Sequence, residues 1–470
     1  MSAGKKQLVV NLFEMACVSH ITHGLWVLEG NNRHRTAELE YWLELAQVAE
    51  EAGFDAIFLA DVIGAYDDFR GGPETAIREG LQIPNLDPLS VIPAMAAVTQ
   101  HVGFGATYST TYEPPFAFAR RASTLDHLTS GRFGWNIVTS YLSNAARNFG
   151  LDEQIEHDTR YQMADEYLQV LYKLWEGSWD DEAVLNDRAR RIYSDPDKVR
   201  YINHVGEHYS VAGPHLVAPS RQRTPVLFQA TGSPAGIKFA GSHAEVVFTG
   251  GRSAADFRTN SGRIKAAAAQ QGRGPETVKC IVQAGVIVGR TEAEAQRKWD
   301  EYRSLTSIDG ILAHGGFAID PTAYPAATPV HQILASEGKL DSPLASSLAP
   351  GTTAGQLVEQ LRAGRNERYF VVGTPKVVCD EIERWLDEDG IDGINLRQYH
   401  SFDTARDFGE LVIPELRRRG RLDEGYTPGH TLRERIFGSG NARLPLTHPG
   451  ARYRQGAYLD GQPAGHGLLA

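Results

Sequence analysis

Eight short apolar runs, each followed by a helix-like stretch, constrain this chain more than any other property. They cover residues 8–13 (LVVNLF), 55–60 (DAIFLA), 102–107 (VGFGAT), 132–138 (RFGWNIV), 224–230 (TPVLFQA), 244–248, 278–288 and 391–396 (IDGINL). Nearly continuous apolar runs of this length read as strands covered on both faces, as in a parallel sheet. Between them apolar residues recur at helical spacing. Leu39, Leu43, Ala46 and Ala49 mark a helix over 36–52 that stops at Gly53, and further helices are expected over 88–99, 115–129, 158–176 and 408–418. Eight strand–helix units predict an α/β fold, a (β/α)8 TIM barrel. A doubly wound sheet can reach the same count, but no GxGxxG follows the first run.

Three stretches break the rhythm: residues 64–87, 177–223 and 305–368. The last, with Gly315-Gly316, several prolines and an Ala/Ser/Gly-rich tract, reads as a low-order lid. Residues 1–420 are therefore expected as one barrel with three insertions at the C-terminal face of its strands. Residues 421–470 are expected as an arm on that barrel or on a neighbouring subunit.

Charge and cysteine usage narrow the setting. A formal net charge of −11 speaks against nucleic acid or an anionic membrane as partner. No run approaches the ~18 apolar residues of a membrane span, and the first apolar run stops at Glu14, too soon for a signal peptide. The three cysteines, Cys17, Cys280 and Cys379, are too scattered for a disulfide framework or zinc ribbon, so a reducing compartment, the cytoplasm, is expected.

In a parallel barrel the side chains just past the strand ends converge on one face. That gathers Cys17 and His20 after the first run, Asp61 and Tyr66 after the second, Thr107 at the third, Asn136 and Ser140 at the fourth, and Ser233 after the fifth. No metal is expected: His20 and His23 lack a third ligand, HExxH is absent, and the His204–His208 spacing encloses Gly206. No serine stands in a G-x-S-x-G elbow. Gly232-Ser233 opens a helix whose free N–H groups suit an anion, and His157 and Tyr161, one helical turn apart, offer two more donors. An imidazole at His20 titrates in the range useful for proton management.

Long stretches carry a resemblance to one family. They are MAAVTQHVGFGAT, ARRASTLDHLTSGRFGWNIVTS, ARNFG, HDTRYQMADEYLQVLYKLWEGSW and PVLFQATGSPAG, with Asn11 and Ser19-His20 near the start. From about residue 8 to 419 the chain resembles the bacterial-luciferase-like FMN-dependent monooxygenases, in the group of nitrilotriacetate, dibenzothiophene-sulfone and dimethyl-sulfide monooxygenases. LEYW and the THPGARYR tail resemble the dimethyl-sulfide branch.

The resemblance implies FMN, used as FMNH2 from a separate, transiently bound NADH-dependent flavin reductase, with O2 as co-substrate. It implies a flavin C4a-(hydro)peroxide that oxygenates a small organosulfur or related substrate, with C–S or C–N cleavage. Carried over by motif, Asp61, Thr107, Asn136, His157, Tyr161, Gly232 and Ser233 contact FMN, while Cys17, Tyr66 and His314 line the substrate pocket. His20, Asn136 and Ser140 stand at the reacting centre; a related alkane monooxygenase has a histidine where Ser140 stands here. A homodimer or homotetramer is expected. The family and its fold also allow aminopolycarboxylate, alkane or haloaromatic oxygenation, a deazaflavin-dependent dehydrogenase, and a non-catalytic flavin-binding protein.

Overall fold

The computed structural model describes residues 5–251, 253–317, 319–363 and 369–459. Eight parallel strands form its centre: β1 Val9–Met15, β2 Ala56–Ala60, β3 Gly103–Ser109, β4 Phe133–Val138, β5 Val226–Ala230, β6 Val246–Phe248, β7 Lys279–Val288 and β8 Gly393–Arg397. Each pairs with its sequence neighbours, and β8 returns to β1 with Asn395 opposite Asn11, closing a (β/α)8 barrel. Strand alternation sorts the side chains into two layers. Val9, Phe13, Ala56, Phe58, Val226, Phe228, Val246 and Ile281 pack with one another, whereas Val10 and Leu12 belong to the larger cluster shared with the surrounding helices. The helix Leu39–Ala52 ends where Gly53, at φ +91°, turns its amide back onto the carbonyls of Ala49 and Glu50, a left-handed stop that glycine makes without strain.

The structure departs from the sequence reading in identifiable places. β1 runs past Phe13 to Met15 and buries Glu14 completely. The Arg33 guanidinium, Tyr41 OH at 3.1 Å and Gln398 Nε2 at 2.7 Å meet the carboxylate, which makes that burial tolerable. Residues 305–368, expected as low-order, carry the helices Ile308–Gly315, Val330–Ser336, Pro343–Ser347 and Ala354–Ala363. They have a core of their own in Ile319, Val330, Ile333, Leu334, Ala354 and Leu357; residues 318 and 364–368 of that stretch lie outside the described residues. A further strand, Phe370–Gly373, which the sequence reading missed, pairs with β7 outside the barrel. Residues 177–223 hold two short hairpins.

Residues 421–459 pack on the barrel of their own chain. The helix Leu432–Phe437 opens on a capping box between Thr431 and Glu434 and inserts Leu432 and Ile436 among the inner side chains. It does so at the N-terminal end of the strands, where the Leu432 amide donates to Gly131 O at 2.9 Å and Arg433 pairs with Glu245 just ahead of β6. This plug leaves only the opposite end of the barrel for chemistry. Ile436→Ala should cost about 2–3 kcal/mol, read from the urea midpoint at unchanged m-value; an unaltered midpoint would mean that the plug carries no stability. Among the described residues, no helix is long and apolar enough to cross a membrane, and no His/Cys/Asp/Glu group is arranged to hold a metal ion.

Candidate active site at the C-terminal mouth of the barrel

At the C-terminal ends of the strands lies a cavity of about 530 Å³, walled by His20, Asp61, Thr107 and Asn136 over an aromatic floor of Phe13, Phe58 and Phe248. Its polar groups are only partly satisfied. Asn136 Nδ2 donates to Thr107 Oγ1 at 2.9 Å, but Asn136 Oδ1, Asn395 Oδ1 and Thr231 Oγ1, all from residues lining the cavity, are buried without a hydrogen-bond partner. Each such orphan costs about 1–3 kcal/mol unless something fills it. A flat heteroaromatic ligand bearing N–H and C=O groups fits both the aromatic floor and the unpaired polar rim. Burial pushes the Asp61 carboxyl up to about 7, against the donors Asn85 Nδ2 at 2.7 Å and the Val62 amide.

The second part of the site lies beyond β5. Ser233 caps the helix Pro234–His243, accepting from the Gly236 amide at 3.1 Å. A Cβ added at Gly236 would sit 2.0 Å from Thr231 Oγ1, 2.7 Å from Tyr161 OH and 3.0 Å from Ser233 Oγ. Three hydroxyls therefore crowd against Gly236, closer than a side chain there would allow, at the positive end of a helix, which is the chemistry of a phosphate cradle. His157, at the start of the helix His157–Tyr172, sets its ring edge-on to Tyr161 at 5.2 Å between centroids, and its Nδ1 meets Asp158 at 2.7 Å. Gly232 is exposed, with open space around it. Tyr161, Ser233 and, through Tyr161, His157 are thus brought together.

The third part is a chain of imidazoles organised by Gln82, a residue the sequence reading passed over. Gln82 Nε2 lies 2.7 Å from His20 Nδ1 and 3.2 Å from His314 Nε2, and His314 Nδ1 lies 3.1 Å from His23 Nε2. An amide nitrogen only donates, so both ring atoms facing Gln82 accept. His20 then carries its proton on Nε2, and His314 donates from Nδ1 to His23. All three imidazoles are held neutral. Burial is the largest cause for each; it lowers His314 to about 4 and holds His20 and His23 well below the usual range, with neighbouring imidazoles adding to the effect on those two.

Tyr66 meets His314 edge-on at 5.1 Å, and burial raises its phenol pKa. Cys17 is fully buried, its Sγ 3.3 Å from Ser19 O and its thiol pushed up to about 12, so it is a packed wall rather than a nucleophile. Ser140, at φ +56°, donates to Ser109 Oγ at 2.9 Å and does not line the mouth cavity. The next residue, Tyr141, hydrogen-bonds Tyr66 through its phenol.

The profile of the luciferase-like monooxygenase family matches residues 21–393. The chain belongs to this family. It is 47% identical over 452 residues to the long-chain alkane monooxygenase of Geobacillus thermodenitrificans, covering 96% of this chain and 98% of that one. It is 43% identical over 463 residues to the dimethyl-sulfide monooxygenase of Hyphomicrobium sulfonivorans, covering 97% and 95%. Among solved structures, a riboflavin lyase holding a modified FMN and its substrate riboflavin superposes with a TM-score of 0.85 at 36% identity, covering 96% of this chain and 100% of that one. With such relatives along nearly its whole length, the chain is a flavin-dependent monooxygenase. The expected family and barrel are confirmed; the comparisons point to the alkane branch as strongly as to the sulfide branch that the sequence reading favoured.

Proposed function

We propose that the chain is the oxygenase component of a two-component system, taking FMNH2 from a separate NADH-dependent reductase and oxygenating a small, uncharged, apolar substrate: an alkyl sulfide or an alkane. The observation that carries the cofactor is the pairing of unsatisfied polar groups at the mouth with a hydroxyl cradle that shares Thr231 with it. In this reading Asp61, Thr107 and Asn136 meet the ring, and Tyr161, Thr231 and Ser233 hold the phosphate. Reduced flavin supplies two electrons that activate O2, so that one oxygen atom enters the substrate and the other leaves as water.

The chain's own residues bind, orient and exclude water. Phe13, Phe58 and Phe248 give the ring an apolar seat, and neutral His20 presents an N–H at Nε2, holding a proton rather than removing one. The insertions 64–87 and 305–368 are tied together over the site by Arg70 to Asp309 at 3.0 Å and to Asp320 at 2.8 Å, and by Arg78 to Asp309 at 3.0 Å. Closure of that kind keeps water from the reacting centre. The substrate class follows from charge. Around the two cavities His20, His314, Tyr66 and Cys17 are uncharged at neutral pH, Arg397 at the mouth lies against Gln283 and the Tyr399 ring, and Arg70 and Lys339 in the adjoining cavity are paired with acids. The acid-paired cations of the adjoining cavity favour an uncharged substrate over an aminopolycarboxylate.

The test is turnover with a flavin reductase, NADH and FMN across sulfides, sulfones, alkanes and aminopolycarboxylates. One ¹⁸O atom from ¹⁸O2 should appear in an oxidised sulfide or alkane. Turnover with reduced deazaflavin and no oxygen uptake, or tight binding of oxidised FMN with no product from any substrate, would sink the proposal.

A further inference from the structure

We propose that Tyr141 determines substrate length: its phenol, paired with Tyr66, partitions the reacting space at the mouth from an outer cavity that takes the tail of a longer apolar substrate. The inference rests on the function proposed above. The outer cavity measures about 610 Å³ and is lined by Tyr66, Tyr141 and His314 together with Leu142, Leu312 and Phe317. That volume lies within the roughly 300–1,000 Å³ of small-molecule sites. Of its charged residues Arg70 pairs with Asp320 at 2.8 Å and Lys339 with Glu337 at 3.0 Å, leaving Asp68 as the further charge, so both cations of the lining are met by acids.

A single layer separates the two spaces. His314 faces the outer cavity and His20 the mouth, and Gln82 bridges them. Tyr66 closes one side of this layer with its ring edge against His314, and Tyr141 joins it from the loop after β4. Tyr141 is 61% exposed, and the hydroxyl is its anchor. The backbone behind it is fixed, since Ser140 sits at φ +56° with its Oγ on Ser109 Oγ, so movement falls to the tyrosine side chain. One neutral hydrogen bond adds little net stability, and burial of two methylenes outweighs it. A long substrate therefore displaces the phenol, whereas a short one leaves it in place.

The experiment uses the full chain with a flavin reductase, NADH and FMN, and a homologous series of methyl n-alkyl sulfides and n-alkanes. Tyr141→Ala should raise the kcat/KM ratio of long over short substrates by roughly tenfold, and Tyr141→Phe, which keeps the ring but loses the hydroxyl pair, should raise it by a smaller factor. Calorimetric binding of the same series to the flavin-free protein gives a second readout, in which Tyr141→Ala should selectively tighten the long members. If wild type oxygenates members of the series and both variants keep its length profile in turnover and binding, Tyr141 is not the determinant. If wild type oxygenates none of them, the proposed function itself falls, a different outcome from an unchanged profile.

Discussion

Gly236→Ala should weaken FMN binding about a thousandfold, ~4 kcal/mol, with the protein still folded. The added Cβ would lie 2.0 Å from Thr231 Oγ1 and 2.7 Å from Tyr161 OH, so both hydroxyls proposed to hold the phosphate would have to move. Hydroxyls that turn away from a methyl group keep the fold but no longer donate to a bound dianion. Gly236 is also in the first turn of the helix Pro234–His243, where alanine is the better helix former by about 1 kcal/mol. Loss of binding is thereby separated from loss of fold. Fluorescence titration with FMN and with riboflavin distinguishes the causes: FMN should lose affinity, and riboflavin, which has no phosphate, should change little. Equal FMN affinity in both proteins would remove the hydroxyl cradle from the cofactor site.

Acid should destabilise this protein steeply between pH 6.5 and 4. An unfolded imidazole takes its proton near 6.5, whereas folded His215 and His314 hold off until about 4, with burial the first cause in both. The unfolded chain binds more protons throughout that window, so stability rises with pH across it. The contribution is complete above about 6.5, shrinks as pH falls, and is fully lost below about 4. These two groups account for about 3 kcal/mol each, and His20, His23 and His448, also held below the usual range, act in the same direction. Asp61, raised to about 7, works the other way, as do Glu14, Asp55 and Asp126, which burial also raises. Urea midpoints from pH 4 to 7.5 should show the slope. His215→Gln, at a residue bonded to Ser123 Oγ at 2.9 Å and remote from the mouth, should reduce it by about 1.4 kcal/mol per pH unit. An unchanged slope in His215→Gln would mean that this imidazole is not kept neutral.

The barrel was legible because eight buried strands leave eight uninterrupted apolar runs, a pattern that survives without any knowledge of packing. The helices of 305–363 were not, since elements such as Val330–Ser336 and Pro343–Ser347 are too short to show a period and draw their stability from one another. At the site, residues directly following strand ends could be anticipated from the shared direction of the strands. Gln82 could not. It lies far from any strand end, in a left-handed conformation at φ +51°, and matters only because two histidines from distant segments fold onto it. Thr231 and Gly236 stood in plain view within TGSPAG, yet their importance depends on Tyr161 arriving from another helix. Likewise Ser140 and Tyr141 are equally polar loop residues on paper; only the sharp backbone turn decides which one reaches Tyr66.

Synthesis runs from the N-terminus, and the stopper of the barrel is made late. When β8 has left the ribosome every barrel strand can find its neighbours, yet Val9, Ala56 and Val226 still surround a throat open to water until Leu432 and Ile436 emerge. Exclusion of solvent is therefore the final event of biogenesis, and a chain halted in between is a complete sheet with a wet apolar shaft, the kind of species that chaperones retain. Removal of the segment from Thr431 onward would recreate that state, far from the chemistry and at the opposite end of the molecule.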